Sequence, residues 1–258
     1  MKKLFPKIIL GLVFLFLYLP IIVLIVFSFN NTKLNIIFEG FTLNWYKELL
    51  SNTTLLNALK NTLIVATTST LVSTIIGTIS AFGLYKFNFK GKKLIDAILY
   101  VPIVIPEIVL GISLLSIYTL MNFSLGLITI IIAHITFSIP YVIVSVRSSL
   151  QGMNPQLEEV SSDLGANSIQ TFFRVTLPSI APGIFSGALL AFTLSMDDVV
   201  ISYFTSGPEG NTLPLYIYSM IKSGITPDVN AMFSIIIFIT LLILTIYSVV
   251  MFKKRVRT

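Results

Sequence analysis

Long uncharged runs of apolar residues, separated by short polar segments, make up most of the chain. A helix that crosses the bilayer core needs about 20 mainly apolar residues. Six runs are long enough, and we predict a membrane-spanning helix in each: about 8–29, 61–84, 94–120, 125–146, 180–203 and 232–252. The first run has 22 residues, longer than the roughly 7–15 apolar residues of a signal peptide. We therefore expect a retained helix there.

Lysine and arginine are unevenly distributed between the polar segments. Of the 17 basic residues, 13 fall at the N-terminus, in the loops after the second and fourth spans, or in the C-terminal tail. Because cytoplasmic loops carry an excess of Lys and Arg, we predict that both termini and these two loops lie in the cytoplasm. The chain is thus predicted to be an all-α integral membrane protein whose residues 1–258 form a single domain with six transmembrane helices.

Two local patterns predict how particular spans pack. In the third span, Pro102 and Pro106 each lack a backbone donor and are expected to kink the helix. In the fifth span, small residues recur at every fourth position, which lets another helix approach closely. These small residues are Ser179, Gly183, Gly187, Ala191 and Ser195.

The composition agrees with a membrane protein and excludes some kinds of site. Hydrophobic residues make up 55% of the chain and charged residues 11%, with a mean hydropathy of +0.93, whereas soluble domains carry about 25% charged residues. The net charge of +6 lies in clusters between the spans, without the basic face of a nucleic-acid binder. Cysteine is absent, so disulfides and thiolate metal sites are excluded. As the single histidine, His134 is expected to be a hydrogen-bonded packing residue rather than a metal ligand.

The cytoplasmic loop 147–178 carries the signals of a short amphipathic helix. Asn154 is a favoured N-cap residue, and Pro155 suits the first helical position. Gly165 is expected to end the helix in the left-handed conformation. The apolar positions recur at helical spacing and predict one apolar face, formed by Leu157, Val160 and Leu164.

Two further expectations concern the same loop. Asn167 and Gln170 have the spacing of an N-cap residue and its reciprocal partner, which predicts the start of a second short helix. The apolar face of the first helix must pack against something. Its residues alone leave two alternatives open, because the face can lie on the membrane-facing base of the protein itself or against a partner.

The stretch EVSSDLGANSIQTFFRVTLP (159–178) resembles the signature of ABC-importer permeases. That signature has Glu-Ala-Ala, a Gly six residues after the Glu, and then an aliphatic residue followed by x-Leu-Pro. The chain departs from it where Val and Ser replace the two alanines. The resemblance implies a coupling helix that fits a cleft on a cytoplasmic ATPase, with docking residues Leu157, Glu159, Val160, Leu164 and Gly165.

The resemblance extends over most of residues 40–231. Stretches such as PEIVLGISLL (106–115), HITFSIPYVIV (134–144) and LSMDDVVISYFTSGP (194–208) are similar to the second permease chain of spermidine/putrescine importers. This implies a multi-pass protein of the bacterial inner membrane that carries polyamines. It also implies a second permease subunit, two ATPase subunits and an extracytoplasmic polyamine-binding protein as partners.

The energy for transport is expected to come from those partners. The chain has no GxxxxGK[ST] phosphate-binding loop. ATP and magnesium are therefore expected in the partner ATPase. For this chain we expect no enzymatic activity, no cofactor, no metal and no nucleic-acid partner.

Four acidic residues lie in or near the predicted spans, and three of them are far from the cytoplasmic end: Glu107 in the third span, and Asp197 and Asp198 in the fifth. An ionisable group inside the membrane is functional by default, and we predict that the three line a substrate pathway for a cation. The alternative is that they form satisfied hydrogen bonds between helices. Neighbouring residues of a continuous helix point about 100° apart. Asp198 lies seven residues after Ala191 and is therefore expected to point nearly the same way as the small-residue positions, while Asp197 points about 100° away.

Other acids and other functions fit less well. Asp96, at the start of the third span, is expected to form a surface ion pair with Lys92 or Lys93. An importer of iron chelates or of another cation remains an alternative, and an ion-coupled secondary transporter is a weaker one. An anion importer is disfavoured because carboxylates in the spans would repel its substrate. An intramembrane aspartyl protease needs facing aspartates on different helices, which adjacent residues do not provide.

Overall fold

The computed structural model describes residues 5–32, 37–208, 210–221, 224 and 226–257. These residues form helices joined by short connections and contain no strand, only one isolated bridge. A π-helical turn spans Phe172–Thr176. The helices are α1 (Phe5–Phe27), α2 (Asn44–Ser51), α3 (Thr53–Lys86), α4 (Lys92–Val104), α5 (Glu107–Leu120), α6 (Leu127–Gly152), α7 (Gln156–Asp163), α8 (Ser168–Thr171), α9 (Leu177–Asp197), α10 (Val200–Thr205), α11 (Leu213–Ser219) and α12 (Pro227–Arg257).

The predicted all-α membrane architecture is confirmed. In the described part of the chain, five helical segments are long and apolar enough to cross a membrane: Pro6–Phe27, Thr53–Lys86, Leu127–Gly152, Ser168–Asp197 and Pro227–Ile246. The third predicted span, 94–120, corresponds to α4 and α5, which are bent by 109° at the break between them. Counted as one broken span, this pair brings the number to six.

The break between α4 and α5 follows from proline chemistry. Ile105 is extended, with ψ of 134°, as the residue before a proline prefers. Pro106 has no N–H to continue the hydrogen-bond ladder of α4, and α5 begins immediately after it. The sequence predicts a kink here, whereas the structure has a complete break because Pro106 stops one helix and starts the next.

The chain divides into two compact units, the first formed by the described residues of 1–56 and 217–258. In this first unit α1 and α2 pack on α12. The Trp45 indole of α2 is buried and donates to the Asn30 carbonyl at 2.5 Å. The Asn52 amide, just after α2, donates to the Asp228 carboxylate in the first turn of α12 at 2.7 Å. Hydrogen bonds therefore fix the short helix α2 within its unit.

The second unit, residues 57–216, has its core where α6 packs against α9. Val142 and Ile143 of α6 are buried in this core together with Ala191 of α9. A Cβ on Gly187 would lie 3.1 Å from the Val142 Cα, tighter than an ordinary contact, and glycine avoids this crowding. The prediction that the small-residue positions admit a neighbouring helix is confirmed at Gly183 and Gly187, where the neighbour is α6, whereas Ser179 is exposed.

Candidate functional site

A cavity of about 290 Å³ lies in the second unit where two interrupted helices meet. Residues from both sides of the α4–α5 break and of the α9–α10 break line it. Irregular backbone at membrane depth is tolerated where it lines a cavity or is buried in protein. The polar side chains in the lining are Glu107, Tyr141, Asp197 and Asp198. The three predicted pathway carboxylates therefore border one cavity.

The α9–α10 break consists of Asp198 and Val199. Asp197 is the last residue of α9, Asp198 is extended with ψ of 124°, and α10 begins at Val200. The fifth predicted span is thus not one continuous helix, because the extended ψ of Asp198 changes the direction of the chain after it. The small-residue positions that we aligned with Asp198 face α6 instead of the cavity.

The Asp198 carboxylate is held by the protein itself. Its Oδ2 accepts from the Ser202 N–H at 2.7 Å and its Oδ1 from the Ile201 N–H at 3.2 Å. These amides belong to the first turn of α10, where backbone donors lack helical partners. The side chain is only 5% exposed. Asp198 therefore caps α10 while bordering the cavity.

His134, in the middle of α6, is the centre of a buried polar cluster (the His134 cluster), whose other members are Ser69, Ser195, Asp198 and Ser202. Its Nε2 lies 3.3 Å from Asp198 Oδ2 and 3.0 Å from Ser202 Oγ, and its Nδ1 lies 2.6 Å from Ser195 Oγ. Ser195 also contacts Ser69 of α3, with 3.2 Å between the hydroxyl oxygens. At 1% exposure His134 is a hydrogen-bonded packing residue, as expected. Within the described ranges no group of three or more His, Cys, Asp or Glu is placed to hold a metal ion.

Glu107 and Asp197 differ from Asp198 in being exposed and unpaired. Among the described residues, neither carboxylate has a hydrogen-bond or ion-pair partner. Glu107 occupies the first position of α5, where the helix dipole favours its negative charge. The cavity therefore presents two unpaired carboxylates, one beside each helix break, and both suit a cationic ligand.

The predicted ion pair of Asp96 has a different partner. Asp96 Oδ1 accepts from Arg147 Nη1 at 2.8 Å, which links α4 to α6. Lys92 instead donates to the Phe87 carbonyl and the Asn88 side chain at 3.1 Å. The prediction of Lys92 or Lys93 was wrong because spacing along one helix cannot reveal a stronger partner on another.

The loop helix α7 has the predicted ends. Asn154 Oδ1 accepts from the Gln156 N–H at 3.0 Å. Gly165 has φ of +84°, and its N–H donates to the Ser162 carbonyl at 2.9 Å while the following N–H donates to Ser161. These two bonds form a Schellman motif. The second predicted helix is also confirmed, because Asn167 and Gln170 cap each other reciprocally at the start of α8.

The apolar face of α7 is exposed. Leu157, Val160 and Leu164 are 46%, 54% and 83% exposed, and Glu159 is exposed beside them. The alternative that this face packs on the protein's own base does not hold for the residues that the structure describes. An uncovered apolar face on a well-capped helix suits a docking surface.

The loop also forms an ion pair, between Lys86 and Glu158, that the sequence did not predict. Glu158 accepts from Lys86 Nζ at 2.5 Å and from Thr176 Oγ1 at 2.7 Å, which ties α7 to the ends of α3 and the π-helical turn. Burial raises the pKa of the Glu158 carboxyl, but these two hydrogen bonds and the Lys86 charge outweigh burial and hold the pKa below its ordinary value. The sequence offered no signal for this contact, because Lys86 lies far from Glu158 along the chain.

Comparison with known proteins places this geometry in a family context. Residues 73–257 match the family model described as binding-protein-dependent transport system inner membrane component. The chain is 42% identical over 229 residues to the spermidine/putrescine transport system permease protein PotC of Escherichia coli K12, with 89% of this chain and 87% of that protein covered. It is 38% identical over 237 residues to the putrescine transport system permease protein PotI of the same organism, covering 89% and 84%.

Solved structures share the fold at lower identity. A bacterial ABC transporter involved in the import of the acidic polysaccharide alginate matches with a TM-score of 0.75 at 16% identity, covering 96% of this chain and 95% of that chain. The alginate ABC transporter in complex with a pentasaccharide-bound periplasmic protein matches with a TM-score of 0.70 at 20% identity, covering 95% and 91%. At these identities the likeness concerns the fold alone.

Proposed function

The chain belongs to the family of binding-protein-dependent transport system inner membrane components, and we propose that it is the permease subunit of an ATP-driven importer that moves polyamines into the cytoplasm. Permeases of this family are membrane proteins without enzymatic activity or a cofactor of their own. They work with a partner permease, ATPases and a periplasmic binding protein. The partners proposed for this chain are one second permease subunit, two ATPase subunits that bind ATP and magnesium, and an extracytoplasmic polyamine-binding protein.

The observation that carries the proposed substrate is the pair of unpaired carboxylates in the cavity. A polyamine has several ammonium groups, and each is a compact charge with three donors. Glu107 and Asp197 offer acceptors without partners of their own in the described part of the chain. They replace part of the water that an ammonium loses on entering the membrane. The names of the relatives, which carry spermidine and putrescine, support the same substrate class.

The route from ATP hydrolysis to the cavity starts at the cytoplasmic loop. We infer that α7 docks into a cleft of the ATPase through Leu157, Glu159, Val160, Leu164 and Gly165. The exposed apolar face of α7 supports this role. The ion pair of Lys86 with Glu158 links α7 to α3, and α3 carries Ser69 beside the His134 cluster. One helix thus extends from the docking loop to the residues around the cavity.

The proposal is tested by reconstituting the complex in lipid vesicles. The chain is co-purified with its partner permease and ATPase, and the binding protein is added from outside. We expect spermidine or putrescine to stimulate ATP hydrolysis and labelled polyamine to accumulate in the vesicles. Vesicles made without this chain are the control.

An acidic cavity also suits other cations, so an iron-chelate importer is the second candidate. If a ferric chelate stimulates ATP hydrolysis and neither polyamine does, the transported substrate is the iron chelate and not a polyamine. No association with an ATPase, combined with uptake driven by an ion gradient, would contradict the ATP-driven mechanism itself.

A further inference from the structure

The His134 cluster fixes the wall of the cavity that Asp198 forms. It joins α3 through Ser69, α6 through His134, α9 through Ser195 and the α9–α10 break through Asp198 and Ser202. The five side chains are buried: His134 is 1% exposed, the Asp198 side chain 5%, and the serines at most 3%. Each contact is made far from water, so losing one leaves a polar group unsatisfied.

The contacts of the cluster lead to the Asp198 carboxylate. His134 Nε2 lies 3.0 Å from Ser202 Oγ and 3.3 Å from Asp198 Oδ2. On the other side of the ring, Nδ1 lies 2.6 Å from the Ser195 hydroxyl, which in turn lies 3.2 Å from Ser69 Oγ. The cluster therefore connects α3 and α6 to Asp198 and holds this carboxylate against α10.

We propose that His134 is a positioning residue: by anchoring Asp198, it holds the α9–α10 break in place and keeps the cavity open beside Asp197, the substrate-facing carboxylate. The inference rests on the proposed function for its substrate, although its geometry does not. Asp198 is the one extended residue that ends α9. Without the anchor, α9 is free to continue through residue 198, which displaces Val200 and Ile201 from the cavity wall and closes the space beside Asp197.

The inference divides the three predicted pathway acids by role. Asp198 satisfies the amides of α10 and the ring of His134, so it acts through the backbone position that it fixes. Asp197 and Glu107 have no such partners among the described residues and are left to meet the substrate. His134 is not itself one of the residues that line the cavity, and its effect is exerted through Asp198, which is one of them.

The first experiment compares three variants of α6 by polyamine uptake per assembled complex. His134→Phe keeps a ring of similar size without its nitrogens, and His134→Gln restores a donor and an acceptor. Thr136→Val is the matched control, because Thr136 is exposed and its hydroxyl bonds only the Ile132 carbonyl of its own helix. We expect about tenfold lower uptake for His134→Phe, recovery to within about threefold for His134→Gln, and no change for Thr136→Val. Equal loss in both His134 variants would overturn the positioning role, because packing alone would then explain the effect.

A double-mutant cycle separates action through Asp198 from an independent effect. We expect Asp198→Asn and His134→Phe each to lower uptake about tenfold, and the double variant to lower it about tenfold as well. An additive loss of about a hundredfold would contradict the inference. If His134→Phe does not assemble, Ser195→Ala takes its place, since it removes the hydroxyl that contacts Nδ1 and Ser69 and leaves the His134 ring intact. Unchanged uptake in Ser195→Ala would then count against the inference.

Thiol labelling tests the geometry without relying on transport. The chain has no cysteine, so Asp197→Cys introduces a single thiol for an aqueous cationic methanethiosulfonate reagent. We expect the labelling rate to fall at least fivefold when His134→Phe is added and to stay within twofold with His134→Gln. Equal rates in all three backgrounds would refute the anchor. If the wild-type complex carries no polyamine but the labelling rates differ as expected, the proposed substrate fails and the positioning role stands.

Discussion

The cytoplasmic loop and the cavity each contain two adjacent acidic residues, one held by the protein and one left open. In the loop, Glu158 is bound by Lys86 and Thr176, while Glu159 faces solvent. In the cavity, Asp198 is bound by His134 and by two amides of α10, while Asp197 is unpaired among the described residues. In both regions the held acid fixes the backbone and the open acid is presented to whatever binds there.

The surroundings of the two held acids differ, and so does the expected cost of losing them. The Lys86 side chain is 41% exposed, so water and salt screen its pair with Glu158. Exposed pairs of this kind contribute about 0–1 kcal/mol. The His134 and Asp198 side chains are 1% and 5% exposed, and each buried polar group that loses its partner costs about 1–3 kcal/mol. The contacts of the held acid therefore contribute little to stability in the loop and more beside the cavity.

The largest effect is expected from removing the held acid of the cavity. Asp198→Leu leaves the amides of Ile201 and Ser202 and the ring of His134 without their acceptor. We expect a loss of about 1–3 kcal/mol for each group left unsatisfied, measured as a large fall in thermal stability and in the yield of assembled complex. Asp197→Leu is the matched control, and it should lose uptake while keeping stability. Equal stability of the two variants would contradict the assignment of Asp198 as the held acid and Asp197 as the open one.

Next in size is the backbone stop that ends α7. Gly165→Pro imposes a negative φ where the structure has +84° and removes the N–H that donates to Ser162, at a cost of about 3 kcal/mol or more. We expect little ATPase to remain on the purified permease, with the transmembrane helices still folded. Gly152→Ala is the control, because a Cβ there meets nothing within 4 Å. Full ATPase retention in Gly165→Pro would remove α7 from the docking surface.

A smaller effect is expected from charging the open face of the loop. Leu164 is 83% exposed, so Leu164→Glu leaves the fold intact and places a charge in the proposed interface. We expect about tenfold weaker ATPase binding, equivalent to about 1.4 kcal/mol. Ser162→Glu, on another face of the same helix, serves as the control in a pull-down of the ATPase. Similar binding by both variants would show that the apolar face is not what docks.

The smallest effect is expected from the held acid of the loop. Because the pKa of Glu158 lies below its ordinary value of 4.5, its contribution to stability is fully present above pH 4.5 and is lost as the pH falls through the lowered folded pKa. We expect Glu158→Gln to speed amide hydrogen exchange in α7 a few-fold at pH 7, corresponding to about 1 kcal/mol or less. The difference from wild type should vanish at acid pH, whereas Glu159→Gln should change exchange at neither pH. A difference that persists in acid would show that charge is not its source.

The features that the sequence predicted correctly are those that depend on residues close together along the chain. The ends of α7 follow from Asn154, Pro155 and Gly165, whose backbone preferences act on their immediate neighbours. The close approach of α9 follows from small residues at regular spacing, among them Gly187. Helix caps and apolar periodicity need no knowledge of the rest of the fold.

The contacts that the sequence missed join residues distant along the chain. The break after Asp198 depends on His134 of α6, and the partners of Asp96 and Glu158 likewise lie on other helices. A continuous helix through residue 198 was the reasonable expectation from apolar periodicity. Tertiary hydrogen bonds override that preference, and they decide which carboxylate is held and which is open.

The measurement that tests the central claim most directly is labelled spermidine uptake by Asp197→Asn and Glu107→Gln, normalised to assembled complex in membranes. These changes delete the charge of the two open carboxylates while keeping their size. We expect each to lower uptake tenfold or more, since a lost ammonium contact of about 1.4 kcal/mol is a factor of ten, with assembly and thermal stability unchanged. Near-normal uptake in both variants, or a loss of uptake matched by a loss of assembled complex, would contradict a cation route through this cavity.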